Sequence, residues 1–323
     1  MGNFVSAFFP PKSLFTVDQI PDLTGQVIIV TGGNTGIGKE TCKVLMNKGA
    51  KVYLAARDKV KAHNALEWLK NETGGKVAFF LELDLANLSS VRKAAEEFKS
   101  KEQELHVLFN NAGVMTPPVD LRTSDGYDLQ FGTNVLGHYL FTTLLLPTLI
   151  HTARNSPASG GHARVINTSS AAIWHPPRGG IAWDTLGTDE VSRKACRRVG
   201  RIALYGQSKL GNVLFSNELA RRHADQGIVS VSLHPGAIKS ELHRHMSGWI
   251  PVSLRDFLMD MILHTTAQGA ITQLYAGTAP DPKHLNGKFL IPWAREYDPG
   301  ALANDEQLAQ KLWTWCEEQV KES

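Results

Sequence analysis

Apolar positions along the chain follow two rhythms. Short runs that are apolar throughout, such as Val27-Ile28-Ile29-Val30, alternate with longer stretches whose apolar residues recur every three or four positions. A continuous short run fits a strand covered on both faces, and the longer spacing fits a helix lying on a sheet. On this basis strands are expected at residues 26–31, 51–56, 77–83, 106–109, 164–168, 229–233 and 288–291. Helices are expected at 36–48, 58–71, 88–101, from about 125 to 150, and at 203–226. Strands alternating with helices of this length imply an α/β chain: a doubly wound parallel sheet with right-handed crossovers. Residues 1–23 read as an arm, 24–298 as a single domain and 299–323 as a helical tail.

The first strand runs into Thr31-Gly32-Gly33-Asn34-Thr35-Gly36-Ile37-Gly38, which opens the first helix. Small residues between a strand and a helix let the backbone approach a pyrophosphate, whose charge is stabilised by the amides at the helix N-terminus. The position after the second strand should select the dinucleotide. An acid there would hold a ribose 2′-hydroxyl, but the chain reads Ala55-Ala56-Arg57-Asp58. A guanidinium suits a 2′-phosphate, so NADP(H) is expected over NAD(H). Lys39 is a second candidate cation, and Asp58 suits a helix cap.

Tyr205 and Lys209 are four residues apart in an expected helix and so share a face. A cation beside a phenol should lower its pKa and favour proton transfer.

Together these residues resemble the short-chain dehydrogenase/reductase family. The resemblance rests on the Thr31–Gly38 loop, Asp84-Leu85, Asn110-Asn111-Ala112-Gly113, Asn167-Thr168-Ser169-Ser170, Tyr205-x-x-x-Lys209 and His234-Pro235-Gly236-x-x-x-Ser240, in that order along the chain. Ala55–Asp58 and the chain length look most like the retinol-dehydrogenase-like branch and its fungal relatives. The resemblance implies a Rossmann fold and a catalytic set of Asn134, Ser170, Tyr205 and Lys209. Asn134 would hold a relay water and Ser170 the substrate carbonyl, with Ser169 one residue away as the alternative. Tyr205 would be the acid/base, and Lys209 its partner and a ligand of the nicotinamide ribose. Cofactor contacts are implied at Gly32, Asn34, Gly36, Ile37, Gly38, Arg57, Asp84, Leu85, Asn111, Tyr205, Lys209, Ile238 and Ser240. Asp84 matches the adenine site, Asn111 the adenine ribose, and Ile238 and Ser240 the nicotinamide amide.

Two stretches differ from a minimal member of that family. Residues 173–202, between Ser170 and Tyr205, contain Trp174, His175-Pro176-Pro177, Gly179-Gly180 and Trp183. They read equally as a wall of a substrate pocket and as a surface excursion. Residues 238–265, with Trp249, Pro251, Leu254, Phe257 and Leu258, resemble a substrate-binding loop, and their apolar spacing fits a simple packed helix as well. Both point to an apolar carbonyl or alcohol.

The rest of the composition narrows the alternatives. The 323 residues are 42% hydrophobic with a net charge of +3, and no basic-aromatic stripe suggests nucleic acid. The run Arg193-Lys194-Ala195-Cys196-Arg197-Arg198 reads as a solvated face. Cys42, Cys196 and Cys316 are too few and too scattered for a disulfide framework, which fits a reduced, cytoplasmic setting. His243 and His245 lack a third ligand, so no metal is expected. Met1-Gly2-Asn3-Phe4-Val5-Ser6 fits the loose myristoylation pattern, a weak membrane signal by itself. The apolar run at 139–150 is too short to span a bilayer and reads as a buried helix. Three readings follow: an NADP(H)-dependent carbonyl/alcohol oxidoreductase, a non-catalytic NADP(H)-binding regulator on the same fold, and a membrane-associated retinoid or lipid dehydrogenase. The oligomeric state stays open.

Overall fold

The computed structural model describes residues 10–238 and 264–321. Eight strands form one sheet: β1 (Val27–Thr31), β2 (Lys51–Ala56), β3 (Phe79–Glu82), β4 (Val107–Asn110), β5 (Ala163–Thr168), β6 (Ile228–Leu233), β7 (Phe289–Ile291) and β8 (Arg295–Tyr297). Their order is β3-β2-β1-β4-β5-β6-β7-β8, parallel throughout except for the final antiparallel pair. The expected doubly wound sheet is therefore present, and its order reverses between β1 and β4.

Side chains alternate along each strand, so the sheet has two buried faces. Ile28 and Val30 point toward α1 (Gly36–Asn47), α2 (Lys59–Glu72) and α7 (Thr266–Thr278), packing with Leu45, Leu69 and Leu274. Val27 and Ile29 belong to the opposite face. That face is covered by α3 (Leu88–Lys101), the long helix α4 (Leu129–Asn155), α6 (Arg201–His223) and α8 (Glu306–Gln319), through Phe98, Phe141, Leu210 and Trp313. Several helices start on a side-chain cap. Asp58 accepts from the Lys61 amide at 3.0 Å, as expected for that residue, and Asn87 from Ser90 at 3.2 Å. Helix α4 is long and apolar enough to cross a membrane, but its residues fill the core, which matches the buried-helix reading.

The structure adds elements that the pattern did not reveal. Residues 173–202 are not a plain excursion: α5 (Glu190–Val199) lies there, with Cys196 buried beneath it. Its basic run is solvated, with Arg197 paired to Asp120 at 2.7 Å and Arg198 to Asp184. Helix α7 and strand β8 were also unforeseen. Near the C-terminal end, α8 packs tightly. Trp313 stacks on Phe215 at 5.8 Å and meets the edge of Tyr139 at 5.1 Å, while Trp315 meets Phe131 at 5.6 Å. Thus α8 is braced against both α4 and α6. All three cysteines are free and buried, and among the described residues no cluster of metal-ligating side chains occurs. The myristoylation-like start, His243, His245, Ser240 and the apolar residues Trp249 to Leu258 lie outside the described residues.

Candidate active site

A cavity of about 400 Å³ opens over the C-terminal ends of the strands. This is where open α/β sheets bind ligands, beside the point at which strand order reverses. Gly32, Asn34, Gly36, Ile37, Gly38, Arg57, Leu85, Asn111, Ser170, Tyr205, Lys209 and Ile238 all line it. Six strand ends and helix α6 supply these residues, which only the sheet topology brings together.

The glycine loop is held by its neighbours. The Thr31 hydroxyl accepts from the amides of Asn111 at 2.9 Å and Ala112 at 3.0 Å, and Asn111 Nδ2 donates to the Thr31 carbonyl at 2.8 Å. Helix α1 therefore starts hard against the loop after β4. A Cβ at Gly38 would overlap the Gly32 carbonyl oxygen and lie 2.6 Å from Asn111 Nδ2. Backbone cannot yield as a side chain can, so Gly38→Ala should weaken dinucleotide binding by about 30-fold, the effect of roughly 2 kcal/mol of overpacking. Fluorescence titration with NADPH checks this, and unchanged affinity would refute the close-approach argument.

Beyond the end of β2 two cationic side chains reach the cavity, of which the sequence indicated one. Arg57 and Lys61 both line it. Lys39 does not: its ammonium lies 3.9 Å from the centroid of the Trp68 ring on α2, held there by a cation–π contact. Lys61 was missed, although a signal existed. Asp58 caps α2, which places Lys61 in the first turn, one helical turn beyond Arg57. Asp84 stands behind the lining. Its Oδ1 accepts from the Ala86 amide at 3.0 Å, while Leu83 and Leu85 on either side reach the cavity.

The polar cluster sits on β5 and α6. Ser169 and Ser170 differ sharply. Ser169 is buried and its hydroxyl donates to the Lys209 carbonyl at 2.7 Å. Ser170 lines the cavity and its hydroxyl hydrogen-bonds Tyr205. Lys209 Nζ donates to the Thr168 carbonyl at 3.0 Å and lies 5.9 Å from the Tyr205 ring centroid. The spacing argument predicted a lowered tyrosine pKa, and the structure corrects it. Burial pushes Tyr205 up to about 12, and the Ser170 hydrogen bond recovers only part of that shift. Burial also brings Lys209 down to about 8. The desolvation of both groups outweighs their attraction, since Lys209 points its ammonium at a carbonyl rather than at the phenol oxygen. The lysine shift has a stability consequence. Its native pKa is below the unfolded value, so the cost of burying the ammonium is full below about pH 8 and is relieved as pH rises toward the unfolded value.

Asn134 occupies a widened turn of α4, Gly132–Gly137. It is fully buried behind the cavity wall. Its Oδ1 accepts from the Val114 amide at 2.8 Å, and its Nδ2 donates to the Val114 carbonyl at 3.0 Å and the Ser208 hydroxyl at 2.9 Å. A Cβ at Gly113 would be 3.1 Å from Asn134 Oδ1 and 3.4 Å from Lys209 Nζ, so the two side chains flank the same stretch of backbone. Of the two tryptophans in 173–202, Trp174 backs the cavity by meeting the edge of His234, while Trp183 faces Lys311 of α8 instead.

Comparison with known proteins agrees with this architecture. The sequence profile of the short chain dehydrogenase family matches residues 26–183. A short-chain dehydrogenase/reductase of the fungus Armillaria gallica is 50% identical over 325 residues, covering 100% of both chains. Mouse retinol dehydrogenase 12 is 36% identical over 309 residues, covering 96% of this chain and 90% of its own. A solved structure of a protein from Mycobacterium paratuberculosis superposes with a TM-score of 0.69 at 29% identity, covering 95% of this chain and 97% of that one. A parallel sheet with its cavity at the β1/β4 reversal, glycine-loop and Tyr-x-x-x-Lys residues lining that cavity, and full-length relatives at this identity lead to one conclusion: the chain belongs to the short-chain dehydrogenase/reductase family of oxidoreductases.

Proposed function

We propose that the protein is an NADP(H)-dependent oxidoreductase that interconverts an apolar aldehyde or ketone and its alcohol, with Tyr205 as the acid/base. The observation that carries this reading is a single cavity lined at one end by the hydrogen-bonded hydroxyls of Ser170 and Tyr205 and at the other by Arg57 and Lys61. The glycine loop and the α1 N-terminus would hold the pyrophosphate, Arg57 and Lys61 the 2′-phosphate, and Lys209 the nicotinamide ribose. The bound cofactor supplies a hydride to the carbonyl carbon in reduction and accepts one in oxidation.

The protein's own groups handle the oxygen. As negative charge builds on the carbonyl oxygen, Ser170 donates a hydrogen bond and Tyr205 transfers its phenolic proton, leaving the alcohol and a phenolate. A tyrosine pushed up to about 12 is fully protonated at neutral pH and so is poised as the acid of the reductive direction. Lys209 and Thr168 fix the far side of α6, and Asn134 fixes Val114 across from them. Val114, Met115, Ala171, Pro235 and Ile238 give the cavity an apolar lining beside its polar groups, which supports an apolar substrate. Similarity to a protein named for retinol supports the same class.

An NADPH-oxidation screen over aromatic, long-chain and terpenoid aldehydes and ketones tests the activity; silence across the whole panel would defeat the reading. The cofactor preference has its own test. Arg57→Leu should raise the KM for NADPH about 10-fold, the loss of one charge-assisted contact, and leave the KM for NADH unchanged. Equal losses for both cofactors would remove Arg57 from the phosphate site.

A further inference from the structure

Helix α4 carries a histidine that none of the steps above uses. His138 is 1% exposed and ends the widened turn that holds Asn134. Its ring nitrogens face two different partners. Nδ1 lies 3.1 Å from the Asn134 carbonyl oxygen, and Nε2 lies 3.0 Å from the Thr31 hydroxyl. A carbonyl oxygen can only accept, so Nδ1 carries the hydrogen. Burial, reinforced by the Lys209 charge, pushes the ring's pKa down to about 4, so it is neutral and holds a single hydrogen. Nε2 is then bare and accepts the Thr31 proton. The Thr31 oxygen keeps its lone pairs for the Asn111 and Ala112 amides, at 2.9 and 3.0 Å.

The Phe109 carbonyl oxygen, 3.2 Å from the Thr31 hydroxyl, shares that proton, so the ring's tautomer is set by Nδ1–H facing the Asn134 carbonyl. The chain of hydrogen bonds starts at two amides of the loop beside the cofactor cavity, passes through Thr31 at the end of β1 and His138, and ends at Asn134. Asn212 Nδ2 also donates to the Asn134 carbonyl, at 2.7 Å, joining α6 three residues beyond Lys209. The Asn134 side chain then clamps Val114, which lines the cavity.

We propose that His138 is a positioning residue for hydride transfer: as the Nδ1–H tautomer it ties the glycine-loop strand to Asn134 and so sets the spacing between the cofactor cradle and the Ser170–Tyr205 hydroxyls. This rests on the oxidoreductase reading above. The role is one of geometry, so it separates from cofactor affinity and from folding.

Three variants and one spectrum test it. An asparagine amide nitrogen can stand where Nδ1 stands, whereas a glutamine amide reaches the Nε2 position and leaves the Asn134 carbonyl without its donor. With the best carbonyl from the screen, His138→Leu and His138→Gln should lower kcat by about 10-fold or more and raise the primary isotope effect with nicotinamide-deuterated NADPH. Their Kd for NADPH should stay within about 3-fold of the parent, and His138→Asn should recover kcat to within about 3-fold. Long-range ¹H–¹⁵N spectra at pH 7 should show one ring in the Nδ1–H form, and that signal should vanish in His138→Asn. An Nε2–H tautomer for that ring overturns the proposal. So does an unchanged isotope effect with kcat falling only in step with the folded fraction, or an Asn variant no better than Leu. A parent protein that turns over no carbonyl sinks the functional reading; a parent that does, matched by its Leu variant, sinks this proposal alone.

Discussion

Tyr205→Phe is expected to lower kcat by about 10³-fold, or about 4 kcal/mol of barrier, while the Kd for NADPH changes little. The substitution removes one oxygen from a side chain whose ring is packed in the cavity wall, so the cradle built from the glycine loop, Arg57 and Lys61 is untouched. What disappears is the proposed proton donor and half of the hydroxyl pair with Ser170. Ser170→Ala should cost less, about 10²-fold, because Tyr205 still carries the proton. Steady-state kinetics in the reductive direction and NADPH fluorescence titration separate the two effects. A Phe variant with full turnover would dismiss the acid/base assignment, and one that fails to bind NADPH would show that the change disturbed the fold of α6.

The second large effect is on stability. Trp313→Ala should lower the unfolding free energy by about 3–5 kcal/mol, the usual cost of truncating a buried aromatic. Its ring stacks on Phe215, meets Tyr139 edge-on and carries the Arg222 guanidinium 4.8 Å above it, so few neighbours can collapse into the void. Urea unfolding followed by circular dichroism should show a lower midpoint with the slope unchanged. Lys311→Ala on the same helix is the control. It loses only the contact with Trp183 and should shift stability by less than about 1 kcal/mol. Comparable small shifts for both variants would mean that α8 is peripheral.

What the sequence disclosed, and what it hid, follows from where the information lies. The apolar runs of β1 and β2 and the capped start of α2 are local signals, and they located those elements to within a residue or two. Helix α7 is different. Its sequence, Thr266-Ala267-Gln268-Gly269-Ala270-Ile271-Thr272-Gln273-Leu274-Tyr275-Ala276-Gly277-Thr278, has little apolar periodicity and two glycines. Those glycines mark contact, not weakness: a Cβ at Gly277 would run into the Phe109 ring, and one at Gly269 would come within 2.8 Å of Ile238. A helix chosen for close approach does not look like a helix in one dimension. Strand β8 is three residues long and, among the described residues, pairs with β7 alone, below what alternation can reveal.

The site shows the same division. The motif residues were recognisable because their order along the chain matches the order of strand ends. Charges were harder. Lys39 precedes Arg57 by a whole helix and strand and Lys61 follows it by one helical turn, but only the faces of α1 and α2 decide that one meets Trp68 and the other the cavity. The tyrosine pKa was read with the wrong sign because spacing reports a neighbour and says nothing of the water lost on burial. His138 carried no signal at all until its two partners, Thr31 and the Asn134 carbonyl, were seen to lie on opposite sides of one ring.

Helix α8 also bears on how the molecule comes into being. It follows the other described helices along the chain, yet its aromatic residues complete the face formed by α4 and α6, the helices that bear Asn134, Tyr205 and Lys209. During synthesis that face therefore stays open until residues 306–319 have cleared the ribosome. A nascent chain halted at about residue 300 would carry every residue of the motif set and still display Tyr139 and Phe215 to water and to chaperones. The covering of that face thus waits on a segment none of whose residues line the cavity.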